Sequence, residues 1–241
     1  MSGHNKWSSI KHKKGREDAR RGKLFSRLGK EITLAAREGG SDETMNPRLR
    51  TAIASAKEAN MPNDNIERAI KKGTGELGGA ALEELSYEGY GPGGVAIIVS
   101  CLSDNRNRTA ASIRSYFTKH NGNLAANGSV SWMFERKARF VIEGEHADEE
   151  ELLMALMEAD AEAEDVTASD GTAEILASPD DFGAVADALK TAGIPISSSG
   201  ISLIPENYVT VTEESVARQV DRMTEALEED DAVQAVYTNF D

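Results

Sequence analysis

Residues 2–27, SGHNKWSSIKHKKGREDARRGKLFSR, carry the chain's densest potential for binding chemistry. Lys6, Lys11, Lys13, Lys14, Arg16, Arg20, Arg21, Lys23 and Arg27 stand there against only Glu17 and Asp18, and His4, Trp7 and His12 are set among the cations. Fixed cations cancel phosphate charge and release counterions, and an indole face stacks on an unpaired base. The chemistry that follows is non-covalent recognition of nucleic acid; the plainer alternative is a solvated basic tail. A second set, Arg48, Arg50, Lys71 and Lys72 with Arg37, Lys57 and Arg68, falls on what reads as the outer face of a small helical bundle. A third is Asp104-Asn105-Arg106-Asn107-Arg108-Thr109, where an apolar strand gives way to a helix. Arg106 and Arg108 there suit phosphate, which a guanidinium fork grips well. Helix capping with local hydrogen bonding explains the same residues equally well.

Catalytic chemistry finds no comparable set. His4, His12, His120 and His146 lack metal-ligand spacing, and the single cysteine, Cys101, lies in an apolar run, as a core thiol would. Gly89 to Gly94, GYGPGG, lacks the Lys-Ser/Thr that completes a phosphate-binding loop and joins two strands, so it reads as a turn. No Ser-His-Asp set or carboxylate pair emerges from spacing. The carboxylate runs 148–151 and 228–231 read as solvated faces at helix ends, the first electrostatically suited to a helix N-terminus and the second at the unfavourable end. The expectation is a protein that is not an enzyme and needs no metal or cofactor.

The net charge of −14 hides a partition. Residues 1–72 hold 17 Lys+Arg and 9 Asp+Glu, a net of +8, whereas residues 73–241 hold 10 and 32, a net of −22. A basic module is joined to an acidic body, and the former is where a polyanion is drawn. With one cysteine, no intramolecular disulfide forms, which suits a reducing compartment. No apolar run reaches the ~20 residues of a membrane span, and no signal-peptide pattern opens the chain. The expected location is cytoplasmic.

The elements that must position these residues follow from periodicity. Residues 17–39 read as a helix with Leu24, Leu28, Ile32 and Ala35 inward and Gly39-Gly40 as its stop. Asn46-Pro47 opens a second helix, with Leu49, Ile53 and Ala56 inward, and residues 63–72 form a short third. After the linker 73–81 the pattern changes to strand 85–88, strand 95–102, a helix to about residue 120 with Ala111, Ile113, Tyr116 and Phe117 inward, and strand 129–135. Strand 138–143, helix 148–160, strands 164–169 and 172–177, helix 179–192 and strand 199–204 then give βαββαβ, the order of a ferredoxin-like sandwich. Helix 213–230 and strand 232–238 lack partners of their own and would complete the earlier sheet. The expected fold is multidomain α+β: a basic arm and three-helix bundle over 1–75, a discontinuous middle α+β domain over 80–137 plus 205–241, and an acidic ferredoxin-like domain over 138–204 inserted into it.

Several motifs together resemble one family. Gly3-His4, Lys6-Trp7, Ile10-Lys11-His12, Asn46-Pro47-Arg48-Leu49-Arg50, Asn60-Met61-Pro62, Gly73-Thr74-Gly75-Glu76, Tyr87-Glu88-Gly89-Tyr90-Gly91-Pro92-Gly93-Gly94, Asp104-Asn105-Arg106-Asn107-Arg108-Thr109 and Gly128-Ser129-Val130 look like the YebC/PmpR family. The likeness is dense over the first ~135 residues, beyond which it lies mainly in layout. It implies a three-domain cytoplasmic protein. Bacterial members of the family are described as DNA-binding transcriptional regulators; the family also includes a mitochondrial translational activator and members linked to ribosomes stalled on proline-rich stretches. The resemblance therefore implies a non-enzymatic regulator of gene expression. The alternatives left open are a ribosome-associated translation factor on ribosomal RNA and, remotely, an enzyme on a phosphorylated substrate. Partners would be promoter DNA or ribosomal RNA, the ribosome itself, and a protein for the acidic domain, with no membrane.

Overall fold

The computed structural model describes residues 17–78 and 81–240, with side chains from residue 22 onward. Seven α-helices and two four-stranded antiparallel sheets make a mixed α+β architecture among these residues. Residues 132–208 form one compact unit, and the chain before and after them forms the other.

The larger unit begins with α1 (Glu17–Gly39), α2 (Pro47–Glu58) and α3 (Asn63–Gly73). Their shared core is Ile32, Ala35, Ala36, Leu49, Ala52, Ile53, Ala56, Met61 and Ile66. Alanines alternate with larger aliphatic side chains, and at the smallest positions the helices approach closely. A Cβ on Gly73 would lie 2.4 Å from the Thr33 carbonyl oxygen, and the buried Thr33 hydroxyl donates to Ala69 O at 3.1 Å across the same contact. Asn46 serves two helices. Its Oδ1 accepts from Leu49 N at 3.0 Å, capping α2, while its Nδ2 donates to Ala35 O and Gly40 O at 2.8 and 2.9 Å, closing the end of α1. Leu24, expected inward, is 44% exposed, and its neighbour Phe25 packs against this core instead.

The sheet of this unit has the order β3-β1-β2-β8, with β1 (Glu83–Tyr90), β2 (Ala96–Ser103), β3 (Asn123–Ala125) and β8 (Val233–Thr238). Val95, Ile97, Val99 and Cys101 face α4 (Arg106–Lys119) and α7 (Glu214–Glu228) through Ile113, Phe117, Val220, Met223 and Leu227. Thr109 joins the buried face of α4, and Ala111 is exposed rather than inward. The chain returns to this sheet through β8, and the buried Asn239 secures the return by accepting from Ala96 N at 2.7 Å.

The strand expected over 129–135 does not form. A carboxylate in β1 prevents it: buried Glu88 accepts from the backbone N–H groups of Gly128, Val130 and Ser131 at 2.8, 2.9 and 3.0 Å. Those groups are thereby withdrawn from any ladder, and Gly128, at φ 89°, turns the chain. The third strand of the sheet is instead β3, paired with β1 at Gly89↔Leu124. Phe134 and Glu135 open β4.

The unit over 132–208 contains β4 (Phe134–Glu143), α5 (Glu149–Glu158), β5 (Asp165–Ser169), β6 (Thr172–Ala177), α6 (Phe182–Thr191) and β7 (Ser198–Pro205). The sheet order is β5-β6-β4-β7. Ala138, Phe140, Ile142, Ala173 and Ile175 on one sheet face pack against Leu152, Leu156, Val185 and Leu189 of the two helices, and Phe140 stacks on Phe182 at 4.9 Å. Asp148 caps α5 by accepting from Glu151 N at 2.9 Å. No helix among the described residues is long and apolar enough to cross a membrane.

Candidate nucleic-acid interface

The sequence-derived site divides into three groups. Lys6, Trp7, Lys11, His12, Lys13, Lys14 and Arg16 lie outside the described residues, and Arg20 and Arg21 are placed only as backbone in α1.

A second group has partners inside the fold. Arg48 meets three carboxylates: Nε to Glu31 Oε1 at 2.9 Å, NH1 to Glu38 Oε2 at 2.7 Å and NH2 to Glu84 Oε1 at 2.5 Å. Burial works against its charge, but the hydrogen bonds to Glu31 and Glu84 outweigh burial and hold the guanidinium above its usual range. The fork thus ties α1 and α2 to β1. Lys23 donates to Glu229 O at 3.3 Å, Arg27 to Glu228 O at 2.5 Å, and Lys30 to Asp231 O. These carbonyls belong to the last residues of α7 and the turn after it, where unsatisfied C=O groups and the helix dipole attract cations. The run 228–231 is therefore not simply a solvated face: its backbone is met by three cations of α1. Burial pushes the Lys30 ammonium below its usual range, opposed by Asp231 and Asp230.

At the third motif, capping is explicit. Asn105 Oδ1 accepts from Arg108 N at 3.0 Å, and Thr109 Oγ1 donates to Ser103 Oγ at 2.7 Å. Arg106 reaches Glu83 at 3.3 Å and Arg108 reaches Asp104 at 2.7 Å, both arginine side chains remaining 69% exposed. Exposed pairs of this kind contribute only about 0.2–1 kcal/mol each. Arg108, Lys30 and Lys72 line a cleft of about 610 Å³ together with Asp104, Asp230 and Asp231, so its wall carries both signs. Cys101, in the core of the sheet, is 1% exposed, and burial pushes its thiol up to about 12, the state of an inert core thiol.

The third group is exposed and carries no ion pair among the described residues. Arg50 and Lys57 stand seven positions apart on α2, and Arg68 and Lys71 three apart on α3, so each pair shares one helix face. Sequence reasoning places Arg48 beside Arg50 as equals; the carboxylates that separate them come from the preceding helix α1 and from β1, 36 residues on. It singles out neither Lys30 nor Glu88. Lys30 follows Lys23 and Arg27 at helical spacing, a signal present in the sequence; nothing in a local window marks Glu88 as the acceptor of three amides.

These features define a multidomain α+β protein whose helical module presents a set of exposed cations without ion pairs among the described residues. Comparison with known proteins carries the assignment further. Residues 5–76 match the family model described as the TACO1/YebC protein N-terminal domain, and residues 82–240 match that of the TACO1/YebC second and third domain. A relative from Desulfotalea psychrophila is 54% identical over all of this chain and 96% of its own length, and one from Halothermothrix orenii is 54% identical over all of this chain and 95% of its own. Both carry the name "Probable transcriptional regulatory protein". The crystal structure of a conserved hypothetical protein from Aquifex aeolicus is similar over 98% of this chain and 96% of that one, with a TM-score of 0.88 and 49% identity. The chain belongs to the TACO1/YebC family, and the names its relatives carry support a regulator's role.

Proposed function

We propose that the protein is a non-enzymatic, DNA-binding regulator of transcription, with its basic arm and helical module as the binding surface. One observation carries the reading. Arg50, Lys57, Arg68 and Lys71 project from α2 and α3 without carboxylate partners among the described residues, while neighbouring cations are consumed by the fold. Exposed, unpaired cations along a helical module that the cation-rich segment 6–16 precedes in sequence are what phosphate binding uses. The names of the relatives supply the level of action. The finer domain assignment belongs to the same reading: arm and bundle over 1–75, a discontinuous middle domain over 80–137 plus 205–241, and a ferredoxin-like insertion over 138–204. The sheet order β5-β6-β4-β7 is the one a pair of split βαβ units produces.

A second reading, ribosomal RNA as the ligand, draws on α3. It has 11 residues and closes in Lys71-Lys72-Gly73, a poor recognition helix for a major groove, and Trp7 among cations suits unstacked bases. The test compares binding to random duplex DNA, promoter fragments and purified bacterial ribosomes at one salt concentration, with a salt titration on the random duplex. Two variants are used: Lys11, Lys13, Lys14, Arg20 and Arg21→Gln, and Arg50, Lys57, Arg68 and Lys71→Gln. Both should weaken DNA binding with little change in melting temperature, the salt slope shrinking by ~0.9 for each phosphate no longer neutralised. Unchanged affinity in both would overturn the surface. Tight ribosome binding that falls in Trp7→Ala, with no promoter selectivity, would replace DNA by RNA.

A further inference from the structure

The unit over 132–208 holds 4 Lys+Arg against 18 Asp+Glu, a net of −14, so that unit alone carries a charge equal to the whole chain's. On it α5 has two apolar faces. Leu152, Ala155 and Leu156 fill the core. Leu153, Met154 and Met157 point the other way and are 41%, 62% and 78% exposed. They are spaced three and four apart, so they form one patch on one helix face. Carboxylates bound it in sequence at both ends: Glu149, Glu150 and Glu151 in the first turn, Glu158, Asp160 and Glu162 at and after the last. α5 contains no Lys or Arg.

We propose that this outward face of α5 is a docking site for a cationic amphipathic helix of a partner protein. The apolar centre supplies anchors, and methionine adapts its shape to varied side chains. The carboxylates at either end match a helix whose Lys and Arg flank its apolar stripe, an arrangement in which charge sets orientation and encounter rate. The same charge repels nucleic acid and anionic lipid, so neither suits the patch. The core of the unit is complete without Leu153, Met154 and Met157, which leaves them available for contact and makes their replacement a clean test.

The experiment uses the full chain with isotope-labelled methionine methyl groups, seven in all, followed by NMR. One probe is a synthetic Leu/Lys peptide with leucines at helical spacing; the other is a scrambled peptide of the same composition. The expected result is that Met154 and Met157 methyl signals move with the amphipathic peptide. The scrambled peptide, and the amphipathic peptide against Met154→Ser/Met157→Ser, should each bind about tenfold or more weakly, while thermal melting of the variant stays unchanged. Equal binding of both peptides, or still methionine signals, would reduce the interaction to bulk charge and overturn the proposal. Self-association of the free chain that the double variant abolishes, or methyl shifts caused by anionic vesicles, would also overturn it by assigning the patch a different occupant.

Discussion

Replacing Arg48 by methionine separates architecture from binding. Most of the side chain's apolar stem is kept for packing, but the bonds to Glu31, Glu38 and Glu84 at 2.9, 2.7 and 2.5 Å are removed. The Arg48 side chain is 38% exposed, so each pair is screened by solvent and worth only about 0.2–1 kcal/mol. Removing the hub also leaves three carboxylates facing one another. Taken together, and discounted for exposure, the loss is about 1–2 kcal/mol. For a unit of this size that lowers the melting temperature by about 2–8 °C. Calorimetry should show the shift in the transition of the larger unit, and Glu84→Gln combined with Arg48→Met should cost less than the sum of the two singly. DNA affinity should fall less than for Arg50→Gln, because Arg48 is already engaged. A melting temperature unchanged in Arg48→Met, together with a large loss of DNA affinity, would refute the assignment and make Arg48 a phosphate contact.

Glu88→Gln should destabilise the larger unit by about 1.5–3 kcal/mol, the worth of hydrogen bonds to a buried charge, read by denaturant titration. Burial opposes the Glu88 charge, but the N–H groups of Gly128, Val130 and Ser131 outweigh it and hold the carboxyl below its usual range. Its contribution is therefore full at neutral pH and is lost as pH falls through that lowered value; a wild type and Glu88→Gln that lose stability identically on acidification would contradict this. Cys101, raised to about 12 by burial, should react with iodoacetamide at mildly alkaline pH only at the rate of unfolding. Because its folded-state value is raised, the associated stability is full below the ordinary thiol range and declines as pH rises above it.

How much of this was legible in advance depended on how local the signal was. α1 reads off its apolar period and Gly39-Gly40, and α2 off Asn46-Pro47, since periodicity and caps are properties of a few consecutive residues. The strand expected at 129–135 failed for the opposite reason. Trp132 and Phe134 have strand propensity, but Glu88, some forty residues earlier, takes the amides a strand would need. The site behaved alike. A basic run is visible as composition, yet which cations stay uncommitted is decided by the fold: Arg48 takes Glu31 and Glu38 from the preceding helix and Glu84 from 36 residues on, and Arg27 meets the end of α7, 201 residues away.

That sorting bears on what the acidic segments do. A carboxylate run after a helix C-terminus is unfavourable by itself, because it adds negative charge where the helix dipole is already negative. At the end of α7 the cost is offset by Lys23, Arg27 and Lys30, which reach the carbonyls of Glu229, Glu228 and Asp231. The acidic side chains at 228–231 then sit beside cations that would otherwise extend the arm's positive field along α1. The helical module is thus neutralised at that end, while Arg50, Lys57, Arg68 and Lys71 stand exposed without ion pairs among the described residues. Charge within the larger unit is accordingly not diffuse, even though its Lys+Arg and Asp+Glu both number 23. One set of cations, Lys23, Arg27, Lys30 and Arg48, builds the molecule, and another, Arg50, Lys57, Arg68 and Lys71, stays exposed on the helical module, as the proposed DNA-binding surface requires.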